Sequence, residues 1–578
     1  MRKVLLPISK PIKKNCFHTQ QRHWFRTSTL NRIMAINPIK MKKNRYPSVV
    51  YSIMMLAGLL VGLVSCKKTE GPSEPARIFK PSAVKIVSGE TSAKLTWTAP
   101  ILSAGAKLAY TIDFSTDSLF SSIKYSTTSD TAGVKVTDEN IRVRTKYFAR
   151  IKANATSTQP ESKYIVSSSF QISGTQLFRP VIETEIKETS VTLRYTQTSG
   201  LSSIVLTPST GNPITTTLTA ADAGFKVISG LHAGTKYSAE LFLGSKSVGF
   251  LSFTTPAATT YAVVLSPGDD ISAAVATAAD NAVIGLNDGT YNVPLGITLS
   301  GKTITLKSLS DNPDATIVNF KGFTLLGTGA GIKVAGINLN GTANSATYFA
   351  DLTSASSNAA AANFTTITVD NCYIHGIGTG LIRGDRSSSY TIGAISFRNS
   401  LVYDITGSSS YYAFHLDKLV FASLTVNQCT FYNITPGLLN CKTTLSAAIP
   451  NISFTSSTFN NFGFNSLYVV MNASANPVNF TMKDCILANT PRSGTVLGVI
   501  LSTGTGSSGS FTFNNYFNLK ATVGGTDLTI PSTINQTANQ TINLGWTIDR
   551  TTFELPVGSA LRTASSTGGA IGDPRWTY

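Results

Sequence analysis

The sequence predicts an all-β protein: two small β-sandwiches followed by a single-stranded right-handed parallel β-helix. Three observations carry this. Short segments alternating apolar and polar residues, with turn residues between them, fill residues 79–257. Apolar-polar-apolar triplets then recur at a nearly constant interval through residues 258–578. The composition, with only 13% charged residues but 45 Gly, 29 Phe and 20 Tyr, suits neither a coiled coil nor a disordered chain. A length of 578 residues exceeds one ordinary domain, and six Cys are too few for a disulfide-stapled miniprotein.

The first element is a leader, residues 1–65. Met41-Lys42-Lys43-Asn44-Arg45 is a basic stretch, followed by an apolar run from Ile53 to Val64. That order is a signal peptide's, and the run is short for a transmembrane helix. Met41 is therefore the expected start. Leu63-Val64-Ser65-Cys66 resembles the bacterial lipobox, which implies lipidation at Cys66 and anchoring to a membrane. A polar, Pro-containing tether is expected over 66–78. The leader also explains the net charge of +18. It holds 12 of the 48 Lys and Arg and no acid, leaving 36 bases against 30 acids; from Thr259 onward 15 bases meet 16 acids. A nucleic-acid partner is thereby excluded, because its binding charge belongs in the folded part.

Residues 79–174 form the first predicted sandwich. Ala93-Lys94-Leu95-Thr96-Trp97-Thr98 and Tyr147-Phe148-Ala149-Arg150-Ile151 alternate with period two. Residues 175–257 form the second, where Ser190-Val191-Thr192-Leu193-Arg194-Tyr195 takes the place of the Trp97 strand. Leu231-His232-Ala233-Gly234-Thr235-Lys236-Tyr237 resembles the tyrosine corner of fibronectin type III modules, kept in part at Arg144-Thr145-Lys146-Tyr147. The expected role is that of spacers, and His232 is read as an exposed turn residue.

The triplets of the β-helix, residues 258–578, start at Ile304, Ile332, Ile367, Ile395, Leu424, Ile452, Phe480 and Phe511, spaced 28, 35, 28, 29, 28, 28 and 31 residues apart. At an offset of five stand Cys372, Ser400, Cys429, Ser457 and Cys485; at seven, Ile374, Val402, Phe431, Phe459 and Leu487. At four stand Asn371, Asn399, Gln428, Ser456, Asp484 and Asn515, a polar ladder suited to a turn. Like residues recurring once per turn are the mark of stacked rungs at roughly 4.8 Å. The Cys lie two rungs apart, too far for a disulfide. Ile271–Ala279 reads as a short capping helix, and the segment ending at Trp576 closes the far end.

Val283-Ile284-Gly285-Leu286-Asn287-Asp288-Gly289-Thr290-Tyr291 resembles the start of pectin-lyase-like right-handed β-helices. Lipobox, fibronectin-like modules, β-helix and the Gly572-Asp573-Pro574-Arg575-Trp576 ending together resemble a group of Bacteroidota surface lipoproteins. Their C-terminal domains are families of unknown function, often found in polysaccharide-utilisation systems. The resemblance implies an outer-membrane location facing the cell exterior and neighbouring glycan-utilisation proteins. It supplies no catalytic residues.

Three successive rungs bring the charged candidates together: Leu381-Ile382-Arg383-Gly384-Asp385-Arg386, Phe414-His415-Leu416-Asp417-Lys418 and Leu438-Leu439-Asn440-Cys441-Lys442. A uronate lyase must neutralise the sugar carboxylate, abstract a proton and assist the leaving oxygen. Arg383 is the candidate neutraliser, Lys418 the base once neighbouring cations lower its pKa, and His415 an alternative base or acid. Asp385, Arg386, Asp417 and Lys442 would bind substrate, with Tyr411 and Tyr412 as exposed aromatics. Surface ion pairing and a packed histidine account for the same residues without chemistry. The 35-residue interval holds an insertion, Gly341 to Asn363, whose Tyr348 and Phe349 could wall a groove. Close carboxylate pairs of the polygalacturonase type, zinc spacing, a nucleophile elbow and a phosphate loop are all missing. Asp370, Asp404 and Asp484 fall at different rung offsets, so calcium is weakly supported and no cofactor is expected.

The expected function is engagement of polysaccharide by the β-helix of a surface lipoprotein, as a lyase on uronate-containing glycan or as a non-catalytic binding, adhesion or scaffold protein.

Overall fold

A computed structural model describes residues 75–577, apart from 104–106, 223, 355–357, 359, 408–410, 435–436, 446–447 and 466–467. The leader, Cys66 and most of the tether lie outside the described residues. No helix among the described residues is long and apolar enough to cross a membrane.

The first sandwich packs a three-stranded sheet (Ser82–Ser88, Ser92–Thr98, Gly133–Thr137) on a four-stranded one (Tyr125–Ser129, Tyr110–Ser115, Phe148–Ala153, Ile165–Val166). Leu95, Trp97, Ile112, Phe114 and Ile151 meet between them. The second packs Phe225–Ser229 and Ser190–Arg194 on a sheet of Ile214–Thr217, Leu201–Pro208, Lys236–Leu243 and Lys246–Thr254. Both have a tyrosine corner. The hydroxyl of Tyr237 accepts from the amide of His232 at 2.8 Å, and that of Tyr147 from Arg142 at 3.3 Å. These are fibronectin type III-like sandwiches, and each buried phenol is satisfied by the backbone of its own corner.

The remainder is a parallel β-solenoid with three faces. Face A has eleven strands, from Val263–Leu265 to Asn535–Thr537. Face B has nine, from Gly289–Val293 to Asn515–Leu519, and face C eight, from Ile297–Ser300 to Gly498–Ser502. The triplets are the face A strands: Ile304, Ile332, Ile367, Ile395, Leu424, Ile452 and Phe480 stand directly above one another. The eighth differs. Phe480 pairs with Gly509, and Phe511 with Met482, so the register lies two residues earlier than the triplet pattern indicates. Ile534 fills the space of the missing side chain, since a Cβ on Gly509 would meet its Cδ1 at 2.3 Å.

The offset-four residues are the corner between faces A and B. Asn371, Asn399, Gln428, Ser456 and Asp484 have φ between 46° and 57°. Their place in the eighth rung belongs to Phe513, at φ 56°, rather than to Asn515. A left-handed residue is required at each rung, and Asn and Asp tolerate that conformation best among side-chain-bearing residues. Cys372, Ser400, Cys429, Ser457 and Cys485 point inward and are fully buried. Burial pushes the thiols of Cys372 and Cys485 up to about 12, so they are inert fillers.

The helix Ile271–Thr277 is N-capped by Asp270, and Ile271 and Val275 face the core. The C-terminal segment does not plug the far end. It runs back along face B, where Trp546, Phe553, Leu555, Leu561 and Ile571 pack on Ile486, Ala488 and Phe517. Trp576 Nε1 donates to Thr430, Thr430 to Asp573, and Arg575 to the carbonyl of Asn399.

Candidate functional site

The central residues of face C line up in one outward row. Thr298, Thr324, Asp351, Arg383, His415, Asn440 and Asn472 pair rung by rung. Inward neighbours such as Leu352, Ile382, Phe414 and Leu439 anchor the row in the core. Alternation along a strand forces this division, so a polar residue beside a buried apolar one faces out.

Arg383 is the centre. Its Nε donates to Asp385 Oδ1 at 3.0 Å. Its guanidinium carbon lies 5.5 Å from the centre of the Tyr348 ring and 5.6 Å from that of Tyr411. Burial works against this charge, but the Asp385 contact outweighs it and holds the guanidinium above its usual pKa. Burial also pushes the phenol of Tyr348 up to about 12. Tyr411 donates to Asp385 Oδ2 at 3.3 Å, and its ring centre lies 4.4 Å from that of His415.

His415 is 8% exposed. The amide of Tyr412 donates to its Nδ1 at 3.3 Å, while its Nε2 stands 3.8 Å from Asp385 Oδ2. In the neutral ring the proton is therefore on Nε2. Burial lowers the His415 pKa; Asp385 and Asp417 act against the shift, Lys442 and Arg383 with it. His415 thus lies against Tyr411 and near Asp385, with the lone pair of its neutral ring engaged by the Tyr412 amide.

One expectation about the site changes, and the other candidates find definite places. Tyr412 is buried, not an exposed platform: its ring packs at Gly437 and its hydroxyl accepts from the amide of Tyr468. Lys418 is exposed and lies past the end of the strand Phe414–His415. Arg386 is committed to Asp351, with bonds of 3.0 and 2.6 Å. Asp417 accepts from the amide and hydroxyl of Thr443 at 3.0 and 3.1 Å. Lys442 is exposed beside the row. Asp351 escaped sequence reasoning because the long interval breaks the period just where its strand lies. Asn440, also missed, is 4% exposed, and its Oδ1 has no partner among the described residues. Tyr348, expected only as a possible groove wall, belongs to the cluster. No group of three or more metal-ligating side chains occurs among the described residues.

A family profile described as a domain of unknown function, DUF4957, matches residues 289–434, the stretch that carries this cluster. A two-module fibronectin type III segment of chicken tenascin is 15% identical, covering 31% of this chain and 99% of that one, with a TM-score of 0.17. The FN1–FN3 domains of chicken CNTN1 are 13% identical, covering 32% and 66%, with a TM-score of 0.15. No curated protein matches the chain.

Proposed function

We propose that the chain is a lipid-anchored surface protein that binds uronate-containing polysaccharide on face C of its solenoid. The observation carrying this is the Arg383 guanidinium between the Tyr348 and Tyr411 rings, on an outward row in register over successive rungs. A guanidinium offers a fork to a carboxylate, and flanking rings offer apolar contact to sugar C–H groups. Rungs about 4.8 Å apart suit an extended polymer. Export through the general route, acylation at Cys66 and a place on the outer membrane facing the exterior belong to the same proposal. So does cooperation with neighbouring glycan-utilisation proteins, which rests on the lipobox and the Bacteroidota resemblance.

Binding ranks above lyase chemistry because His415 Nδ1 is engaged and Lys418 is exposed past the end of its strand. The lyase reading keeps one support: a phenol, an imidazole and a guanidinium lie together around Asp385. Gel electrophoresis through polygalacturonate and alginate separates the two. Retarded migration that Arg383→Ala and Tyr411→Ala each weaken at least tenfold supports binding. An ultraviolet-absorbing unsaturated product, lost in His415→Gln, establishes the lyase instead. Unretarded migration in every uronate polymer without product overturns both and leaves adhesion or scaffolding. For the anchor, Cys66→Ser is expected to move the protein from the membrane to the soluble fraction; unchanged fractionation refutes it.

A further inference from the structure

The corner between faces B and C carries a groove of about 650 Å³ that the Arg383 cluster does not use. Its walls are the turns of successive rungs: Thr342 and Thr347, then Gly376 and Thr379, then Asp404 and Thr406, then Asn433. The groove is shallow and open to solvent. The lining is unusual in its chemistry. Thr342, Ser345, Thr347 and Thr406 are exposed hydroxyls, and Asp404 is the one charged residue among the lining residues.

Asp404 has φ 54° and follows Gly376, at φ 69°, in a column of left-handed residues: Asn433, Asn461, Asn489 and Asn518 repeat the conformation with φ of 52–57°. Asn433 Nδ2 donates to Asp404 Oδ1. The other carboxylate oxygen has no hydrogen-bond partner among the described residues, and Asp404 forms no ion pair among them. Asn continues the column at every later rung, so the fold does not call for a carboxylate here. His375, Tyr403 and Tyr432, each immediately preceding a groove residue, stack with ring centres 4.6 and 4.9 Å apart and planes 3° from parallel. That stack makes the wall rigid.

The geometry points to a second sugar subsite in this groove, taking an uncharged, hydroxyl-bearing sugar whose hydroxyls donate to Asp404. A carboxylate without a cation partner is a strong acceptor for vicinal hydroxyls, and it repels a uronate. The threonine hydroxyls both donate and accept, as a neutral sugar does. The groove adjoins the Arg383 cluster, since Thr347 precedes Tyr348 and Thr379 immediately precedes the strand Gly380–Arg383. A bound polymer would then place a neutral residue beside a charged one. The choice of sugars as ligand class rests on the polysaccharide reading; the site itself does not depend on the Arg383 cluster.

The test is calorimetric titration of the purified full chain with hexasaccharides of β-linked glucose, xylose and mannose, alongside polygalacturonate. Asp404→Asn keeps the left-handed preference and the column, and exchanges an acceptor for a donor. It is expected to weaken binding of a neutral hexasaccharide at least tenfold and not to weaken polygalacturonate binding. Thr379→Arg, which fills the groove, is expected to do the same. Arg383→Ala is expected to show the reverse pattern. Neutral binding without any uronate binding upholds this subsite and removes the reading of face C. Absence of binding to all three hexasaccharides overturns the subsite. So does neutral binding that survives both groove variants, or binding confined to amine-bearing chitosan oligomers.

Discussion

One residue conformation recurs down the solenoid and explains much of its Asn content. Asn433 sits at φ 57°, between Asp404 and Asn461, and its amide bonds to Asp404. An alanine there loses both the amide and the tolerance of left-handed backbone. Asn433→Ala is expected to cost about 1–2 kcal/mol, measured as a lower urea midpoint at unchanged slope. Asn433→Gly, which restores the backbone freedom, is expected to recover part of that loss. The buried imidazole of His415 and the half-buried one of His375 set a second residue-scale expectation. Burial lowers the pKa of both His415 and His375, so the folded state resists their protonation. Their folded values lie below the unfolded value of about 6.5. The stability they permit is therefore present above that pH and lost as pH falls through the folded values. Thermal unfolding between about pH 7 and 5 should show the decline, and His415→Gln should flatten part of it.

At the scale of the element, the period of 28 or 29 residues determines which strands pair, and packing decides the exceptions. Gly509 is one. The triplet pattern favours Phe511 because Phe-Thr-Phe matches its predecessors, yet Ile534 occupies the core volume above Phe480's partner and selects the shifted register. Gly509→Ala forces its methyl onto Ile534 and is expected to cost about 1–3 kcal/mol, as overpacking does. Ile534→Val in the same chain should return most of it, and a double-mutant cycle with no coupling would refute the account. The second ladder, Asp404 to Asn518, follows the same period and was legible in the sequence. It carries one carboxylate, Asp404, among four Asn.

Across the whole molecule, the second sandwich is tied to the solenoid by charge. Lys187 pairs with Asp311, Lys307 with Glu188, and Glu183 with Arg398, which also holds Asp370. Burial opposes the Glu188 charge, but Lys307 and Thr259 outweigh it and hold its carboxyl below the usual range. Such pairs weaken as salt shortens the screening length to about 3 Å at 1 M. Glu188→Ala combined with Asp311→Ala should therefore expose the segment near Thr259 to protease, and high salt should do so in the unaltered chain. Equal resistance in all three conditions would show that apolar contact, not charge, joins the modules.

How much was legible follows from which forces act locally. Strand alternation, the rung period, the inward Cys and Ser column and the tyrosine corners are repeated or near-neighbour features, so residue spacing determines them. The assembly of Arg383 with Tyr348, Asp385, Tyr411 and His415 needed the tertiary structure. Its members come from three rungs, and one of them, Tyr348, lies within the insertion that breaks the period. The burial of Tyr412, the exposure of Lys418 and the pairing of Arg386 with Asp351 were likewise decided there. A side chain's partner across rungs depends on the length of every turn between them, and turn length is where this sequence departs from its own repeat.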